Sequence, residues 1–231
     1  MKKFLIYFLT ILLIVTCITD VIFAARGITF ESLPFAQKFD TQALTERQNV
    51  AHEMAECARK LGLPESCETI QTAKKIWHEA DKQKQEAQAQ YNKWQSRFNQ
   101  YPYATYIWIY LTQQLGYNDY VAAGILGNCM AEVGGQTLNI QYWIGGSGYY
   151  GMCQWSRRYF PGVVGADLPG QCQFLASTMS SQFGSSLSSF LSLQDYSSAA
   201  LTFARKYERC TSASYGVRQR NAAKAYSFFT S

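Results

Sequence analysis

NDYVAAGILGNCMAEVGG, residues 118–135, is the stretch that decides the fold. Asn118 is a residue type that accepts hydrogen bonds at a helix start, and Gly134–Gly135 is the kind of pair that ends a helix. The spacing predicts a helix between them, on which Ile125, Cys129 and Glu132 are separated by four and three and share one face. Glu132 is in unusual company, with Ala131 before it, Val133 after it and no Lys or Arg close by in either direction. Ile125 faces inward, so Glu132 is expected to point into the interior or a cleft. It also lies in the last turn, where the macrodipole disfavours an anion. Burial and dipole both favour the neutral acid. A carboxylic acid that keeps its proton near neutral pH is what a general acid needs, and glycoside hydrolysis is the commonest chemistry to use one. A purely structural alternative is that Glu132 hydrogen-bonds a neighbouring loop.

Downstream, TLNIQYWIGGSGYYGMCQW (137–155) is rich in aromatics and glycine without a helical period, and reads as a loop with at most a small β-hairpin. Pro102 suits a first helical position ahead of YATYIWIYLTQQLG. GQCQFLASTMSSQF, SSAALTFARKYERC and YGVRQRNAAKAYSFF read as three more helices. Residues 102–231 are therefore expected to form a compact, all-α domain with a small β element, large enough for its own core.

Upstream the character changes. Charged side chains concentrate in residues 25–101. From Ile70 the positions Ala73, Trp77, Ala80, Lys84, Ala87, Tyr91, Trp94 and Phe98 step by three and four, a heptad seam broken once by Lys84. A weaker seam runs from Leu44 to Leu61, and Gly62 and Pro64 punctuate the link. The expectation is an antiparallel, coiled-coil-like helical hairpin, serving as a spacer, a protein-partner arm or a prop. Residues 1–24 read as a cleaved secretory signal: MKK, an apolar run, and small residues near Ala24. The expected location is the periplasm or outside the cell; the alternatives for this segment are an uncleaved anchor and a lipid anchor on Cys17.

Seven cysteines include Cys17 in the apolar run, leaving Cys57, Cys67, Cys129, Cys153, Cys172 and Cys210 as disulfide candidates. Cys57–Cys67 would close the hairpin turn; on economy, Cys129–Cys153 and Cys172–Cys210 would serve the second domain. Their spacing does not suit zinc, and neither metal nor cofactor is expected. The formal net charge of +5 is mild; it suits a polyanionic wall, and no basic–aromatic cluster suggests nucleic acid.

AAGILGNCMAEVGG, YYGMCQW followed by SRR, and KYER together resemble the phage-tail lysozyme domain family, itself similar to goose-type lysozymes and soluble lytic transglycosylases. The likeness covers residues 103–229. It implies a catalytic glutamate at Glu132 and a sugar-lining Gly151–Gln154 segment, with Trp155, Arg158 and the Tyr207–Glu208 pair also matching. Where the family usually has Ser after the glutamate, this chain has Val133. The residues themselves are compatible. Gln154 offers a donor and an acceptor for an N-acetyl group, and Tyr150 and Trp155 offer flat faces for sugar rings.

A hydrolase needs a second carboxylate. Asp119 is at the other end of the Glu132 helix, ~20 Å away at 1.5 Å per residue. Asp167 sits in a Gly/Pro loop and Asp195 looks like a cap, which leaves Glu208. The expected function is a muramidase cleaving between N-acetylmuramic acid and N-acetylglucosamine, with Glu132 as acid and Glu208 as base, and peptidoglycan as partner. The alternatives are a lytic transglycosylase that forms anhydro products and a non-enzymatic glycan-binding module.

Overall fold

A computed structural model of the chain describes residues 28–231 except 32 and 34; the expected leader lies outside the described residues. The structure is mostly helical with one small sheet, as the sequence pattern predicts. It divides into two compact units, one ending at Gln95 and one spanning Ser96–Ser231.

In the first unit, α1 (Gln42–Lys60) is followed by α2 (Glu68–Gln100), whose end from Ser96 belongs to the second unit. Gly62 adopts φ +75, a left-handed conformation glycine enters without strain. Gly62 N–H then bonds Arg59 C=O and Leu63 N–H bonds Ala58 C=O, which closes α1. Lys84, the break in the heptad seam, has a reason to be there. Its Nζ donates to Thr45 Oγ1 at 3.0 Å and Gln48 Oε1 at 3.5 Å, while Gln48 donates to Asp81 Oδ1 at 3.2 Å. A polar rung thus joins two antiparallel helices. Farther along α2, Tyr91 and Trp94 are covered by the segment before α1, with Phe30 5.1 Å from Tyr91 and Phe35 5.3 Å from Trp94. Trp77, which the spacing places on the seam, is 39% exposed.

The second unit is built around α4 (Asp119–Val133). Ahead of it comes α3 (Pro102–Ile109), extended by a π-turn at Tyr110–Gln114. Asn118 caps α4 as expected, its Oδ1 accepting from Val121 N–H at 3.0 Å, and its Nδ2 donates to Leu191 and Leu193 carbonyls. Every residue from Val121 to Met130 is buried. Next come β1 (Gly145–Gly146), β2 (Tyr149–Tyr150) and β3 (Trp155–Ser156), an antiparallel sheet in that order. Then follow α5 (Leu168–Phe183), α6 (Leu187–Leu191), α7 (Tyr196–Phe203), extended by a π-turn at Ala204–Glu208, and α8 (Tyr215–Thr230).

α7 and α8 both pack on α4 through small residues. A Cβ on Gly124 would lie 2.6 Å from Ala199 Cβ, and one on Gly127 would lie 2.5 Å from Ala222 N. The backbones approach this closely only because no side chain intervenes. Gly127→Ala is therefore expected to destabilise the domain by about 1–3 kcal/mol through overpacking, outweighing alanine's better helix propensity. Urea denaturation checks this; an unchanged or higher midpoint would show that α8 yields without cost.

Candidate active site

Glu132 occupies the last turn of α4, and its immediate partner is a cation the sequence reading did not find. Arg218 of α8 is 4% exposed and its Nη2 hydrogen-bonds Glu132 Oε1 in a close ion pair. The other nitrogens are also used: Nη1 donates to Asn128 Oδ1 at 2.9 Å and Nε to Ser214 Oγ at 3.3 Å. Asn128 in turn donates to Gly124 and Ala200 carbonyls. Burial works against the Arg218 charge, but the Glu132 hydrogen bond and the charges of Glu132 and Glu208 prevail and raise its pKa. Arg218 had a legible signal. Arg218, Asn221, Ala222, Ala225 and Phe229 share one buried stripe of α8, so this cation sits on a face without another charge.

Glu208 ends the π-turn after α7, and Arg209 follows at φ +53. The residue as a whole is half-buried, but its Oε1 is out of solvent and has no hydrogen-bond partner. Burial pushes the carboxyl up to about 8, with the Glu132 charge acting in the same direction; Arg218 and a hydrogen bond with Cys153 oppose the shift. The Glu132 charge thus reaches Glu208, and Arg218, the ion-pair partner of Glu132, acts on Glu208 as well. Asp167 and Asp195 are both N-caps, of α5 and α7, accepting from Gly170 and Ser198 N–H.

A cleft of about 430 Å³ opens beside Glu208, with Gln154, Trp155 and Tyr207 in its wall. Gln154 adopts φ +47 and its Nε2 donates to Ile144 and Gly151 carbonyls at 3.0 and 2.9 Å. That fixes the loop. Trp155 is 4% exposed, its Nε1 donating to Tyr207 Oη at 3.0 Å, and Tyr207 Oη lies 2.6 Å from Thr178 Oγ1. Tyr207 also stacks on Phe203. These two rings form a rigid wall more than a free platform. The exposed rings lining the cleft are Tyr149 and Tyr159, 53% and 72% exposed. Tyr150 is half-buried with Arg157 over its ring, and exposed Arg158 lies over Tyr159; neither Tyr150 nor Arg158 lines the cleft. A more open groove of about 760 Å³, edged by Tyr101, Gln136, Lys224 and Phe228, has no Asp or Glu in its wall and lacks the acid that bond cleavage needs.

The loop is held by Gln171, a buried α5 residue unremarked in the sequence. Its Oε1 accepts from Met152 N–H at 2.8 Å and its Nε2 donates to Tyr142 and Ala166 carbonyls. Gly151, at φ +87, faces it so closely that a Cβ there would lie 2.7 Å from Gln171 Oε1.

None of the expected disulfides is formed in this structure, where Cys57, Cys67, Cys129, Cys153, Cys172 and Cys210 are free thiols. Cys129 and Cys153 do face each other as expected, but their sulfurs are 3.8 Å apart, well beyond a bond of about 2.05 Å. Cys210 lies instead against Ser214 Oγ and the Ala204 carbonyl, while Cys172 is buried.

The model of the phage tail lysozyme family matches residues 102–229, which take in both glutamates, Arg218 and the cleft wall. The chain belongs to that family. No curated protein and no solved structure matches it. Residues 102–229 are accordingly a lysozyme-like, peptidoglycan-degrading domain, and the helices before Pro102 lie outside the family match.

The raised Glu208 carboxyl has a consequence for this lysozyme domain that stability measurements read directly. Between the ordinary value of 4.5 and the folded value of about 8, the folded protein holds a proton that the unfolded chain has lost. This contribution is complete below pH 4.5, falls by about 1.4 kcal/mol per pH unit across the window, and is flat above it. Glu208→Gln carries no titrating proton, so its melting temperature relative to wild type is expected to rise steadily from pH 5 to pH 8. A difference independent of pH would show that Glu208 is ionised throughout.

Proposed function

We propose that residues 102–229 are a muramidase hydrolysing the β-1,4 bond between N-acetylmuramic acid and N-acetylglucosamine, with the roles of the two glutamates opposite to those the sequence suggests. The observation that supports this is the contrast in surroundings. Glu208 is dry, lines the cleft and holds its proton to about pH 8, whereas Glu132 is ion-paired with Arg218. Glu208 donates its proton to the glycosidic oxygen as the bond to the anomeric carbon breaks. Glu132, held in its ion pair by Arg218, accepts a proton from the water that attacks that carbon. The wall of Trp155, Tyr207 and Thr178 holds the shape of the site, and Gln154 and the exposed faces of Tyr149 and Tyr159 meet the sugars.

One observation favours a second route, lytic transglycosylation. Glu132 is engaged by Arg218, and a single acid is enough if the muramic acid 6-hydroxyl attacks in place of water. Glu208 then gives its proton to the leaving oxygen and recovers one from that hydroxyl, leaving an anhydro sugar. Export through residues 1–24 suits a wall substrate, and the hairpin of residues 25–101 is the arm that spaces the domain or meets a protein partner.

Muropeptide masses from purified peptidoglycan separate these readings. Hydrolysis adds one water per cleavage, while transglycosylation gives products lighter by one water. Glu208→Gln is expected to lower kcat by roughly 10²- to 10⁴-fold in either case. Glu132→Gln does so only for hydrolysis. Wild-type activity should fall as pH rises through about 8, where Glu208 loses its proton. Full activity of Glu208→Gln would overturn both routes.

A further inference from the structure

The residue after Glu208 is charged, lines the same cleft and, among the described residues, has no acidic partner. Arg209 adopts φ +53, a left-handed conformation that is rare for a residue with a side chain and tends to collect at functional positions. The turn separates two neighbours: Glu208 Oε1 is buried, while Arg209 is exposed and its Nη2 donates to Gln182 Oε1 at 3.1 Å. Gln182 is in the last turn of α5 and also lines the cleft. Arg218, not Arg209, is the arginine whose charge acts on the Glu208 carboxyl. Arg157 donates to the Tyr149 carbonyl and lies over Tyr150, Arg158 lies over Tyr159, and Arg205 over Tyr215; neither these three nor Lys206 line the cleft. Among the described residues, Arg209 is the cation in the cleft wall, and the side chain that it donates to is a neutral amide, which does not compensate its charge.

A strand of N-acetylglucosamine alone presents no charge to this arginine. A muramic-acid strand does, either through the carboxylate of the lactyl arm or, where that is capped, through carboxylates of the attached peptide. We propose that Arg209 binds a carboxylate borne by the muramic acid unit, so that the cleft selects muramic-acid glycan over a neutral chitin-like strand. This rests on the muramidase reading above. A planar guanidinium gripping a carboxylate by two parallel hydrogen bonds suits the task, and a lysine supplies only the charge.

The test compares wild type, Arg209→Gln and Arg209→Lys as full chains with matched melting temperatures. The substrates are peptidoglycan with its peptides, the same strands stripped of peptides, and an N-acetylglucosamine hexamer. Affinity for soluble disaccharide-peptide and for disaccharide is measured by calorimetry in parallel. Arg209→Gln is expected to weaken binding, and to raise KM more than it lowers kcat, by roughly ten- to a hundredfold on carboxylate-bearing ligands. The neutral hexamer should be unaffected, and Arg209→Lys should recover part of the loss. Loss on both charged forms assigns the lactyl carboxylate; loss only with peptides present assigns a peptide carboxylate. Equal loss on the hexamer, or no loss anywhere, overturns the proposal. Should wild type cleave nothing, the muramidase reading falls, and the calorimetric comparison still decides whether Arg209 recognises a carboxylate.

Discussion

The second unit depends on one guanidinium. Arg218 reaches from α8 to the end of α4, where it pairs with Glu132, bonds Asn128 one turn earlier and takes Ser214 from the start of its own helix. A charge this deeply buried is tolerable only when its hydrogen-bonding capacity is met and an opposite charge is at hand. Asn128 extends the network to α7 through the Ala200 carbonyl. Three helices are thus fixed by directed bonds as well as by apolar packing. An arginine is needed because its planar fork can serve several partners at once, where an ammonium would act as a point charge.

This network is possible only because the helices lie unusually close. Gly124 against Ala199 and Gly127 against Ala222 bring α7 and α8 to the same stretch of α4. The π-turn that continues α7 then delivers Glu208 to the neighbourhood of Glu132. An extra residue in a helical turn re-aims whatever follows it. The left-handed Arg209 completes the change of direction. Glycines, π-turn and ion pair form one chain of cause, from backbone approach to the meeting of two carboxylates.

Much of this was legible where a residue's own chemistry is enough. The Asn118 cap, the Gly134 stop, the small β element and the break between two units of different charge density follow from local rules, and the structure contains the cap and the small β element. Glu132 and Glu208 stood out because a carboxylate in apolar or cysteine-pinned surroundings is conspicuous. What escaped were the partners. Arg218 is eighty-six positions from Glu132, and Gln171 is nineteen from the loop amide it accepts from. Periodicity places a side chain on a face but not opposite a particular neighbour. The same limit explains the rings: Trp155 and Tyr207 look like sugar platforms in a linear sequence, and only the fold shows them bonded to each other within the wall.

The roles of the two glutamates turn on the same distinction. A sequence word marks Glu132, yet the ability to give or hold a proton belongs to the surroundings and not to the word. At Glu132 a buried cation supplies compensation; at Glu208 compensation is incomplete, because one carboxyl oxygen is out of solvent without a donor and the nearest thiol, Cys153, is a weak one. A proton resolves that deficit better than any contact present. Two acids in such unequal surroundings are suited to divide acid and base work between them. Cys153 matters here through position as well. Its sulfur lies 3.8 Å from that of Cys129 on α4, and its effect on Glu208 opposes that of burial.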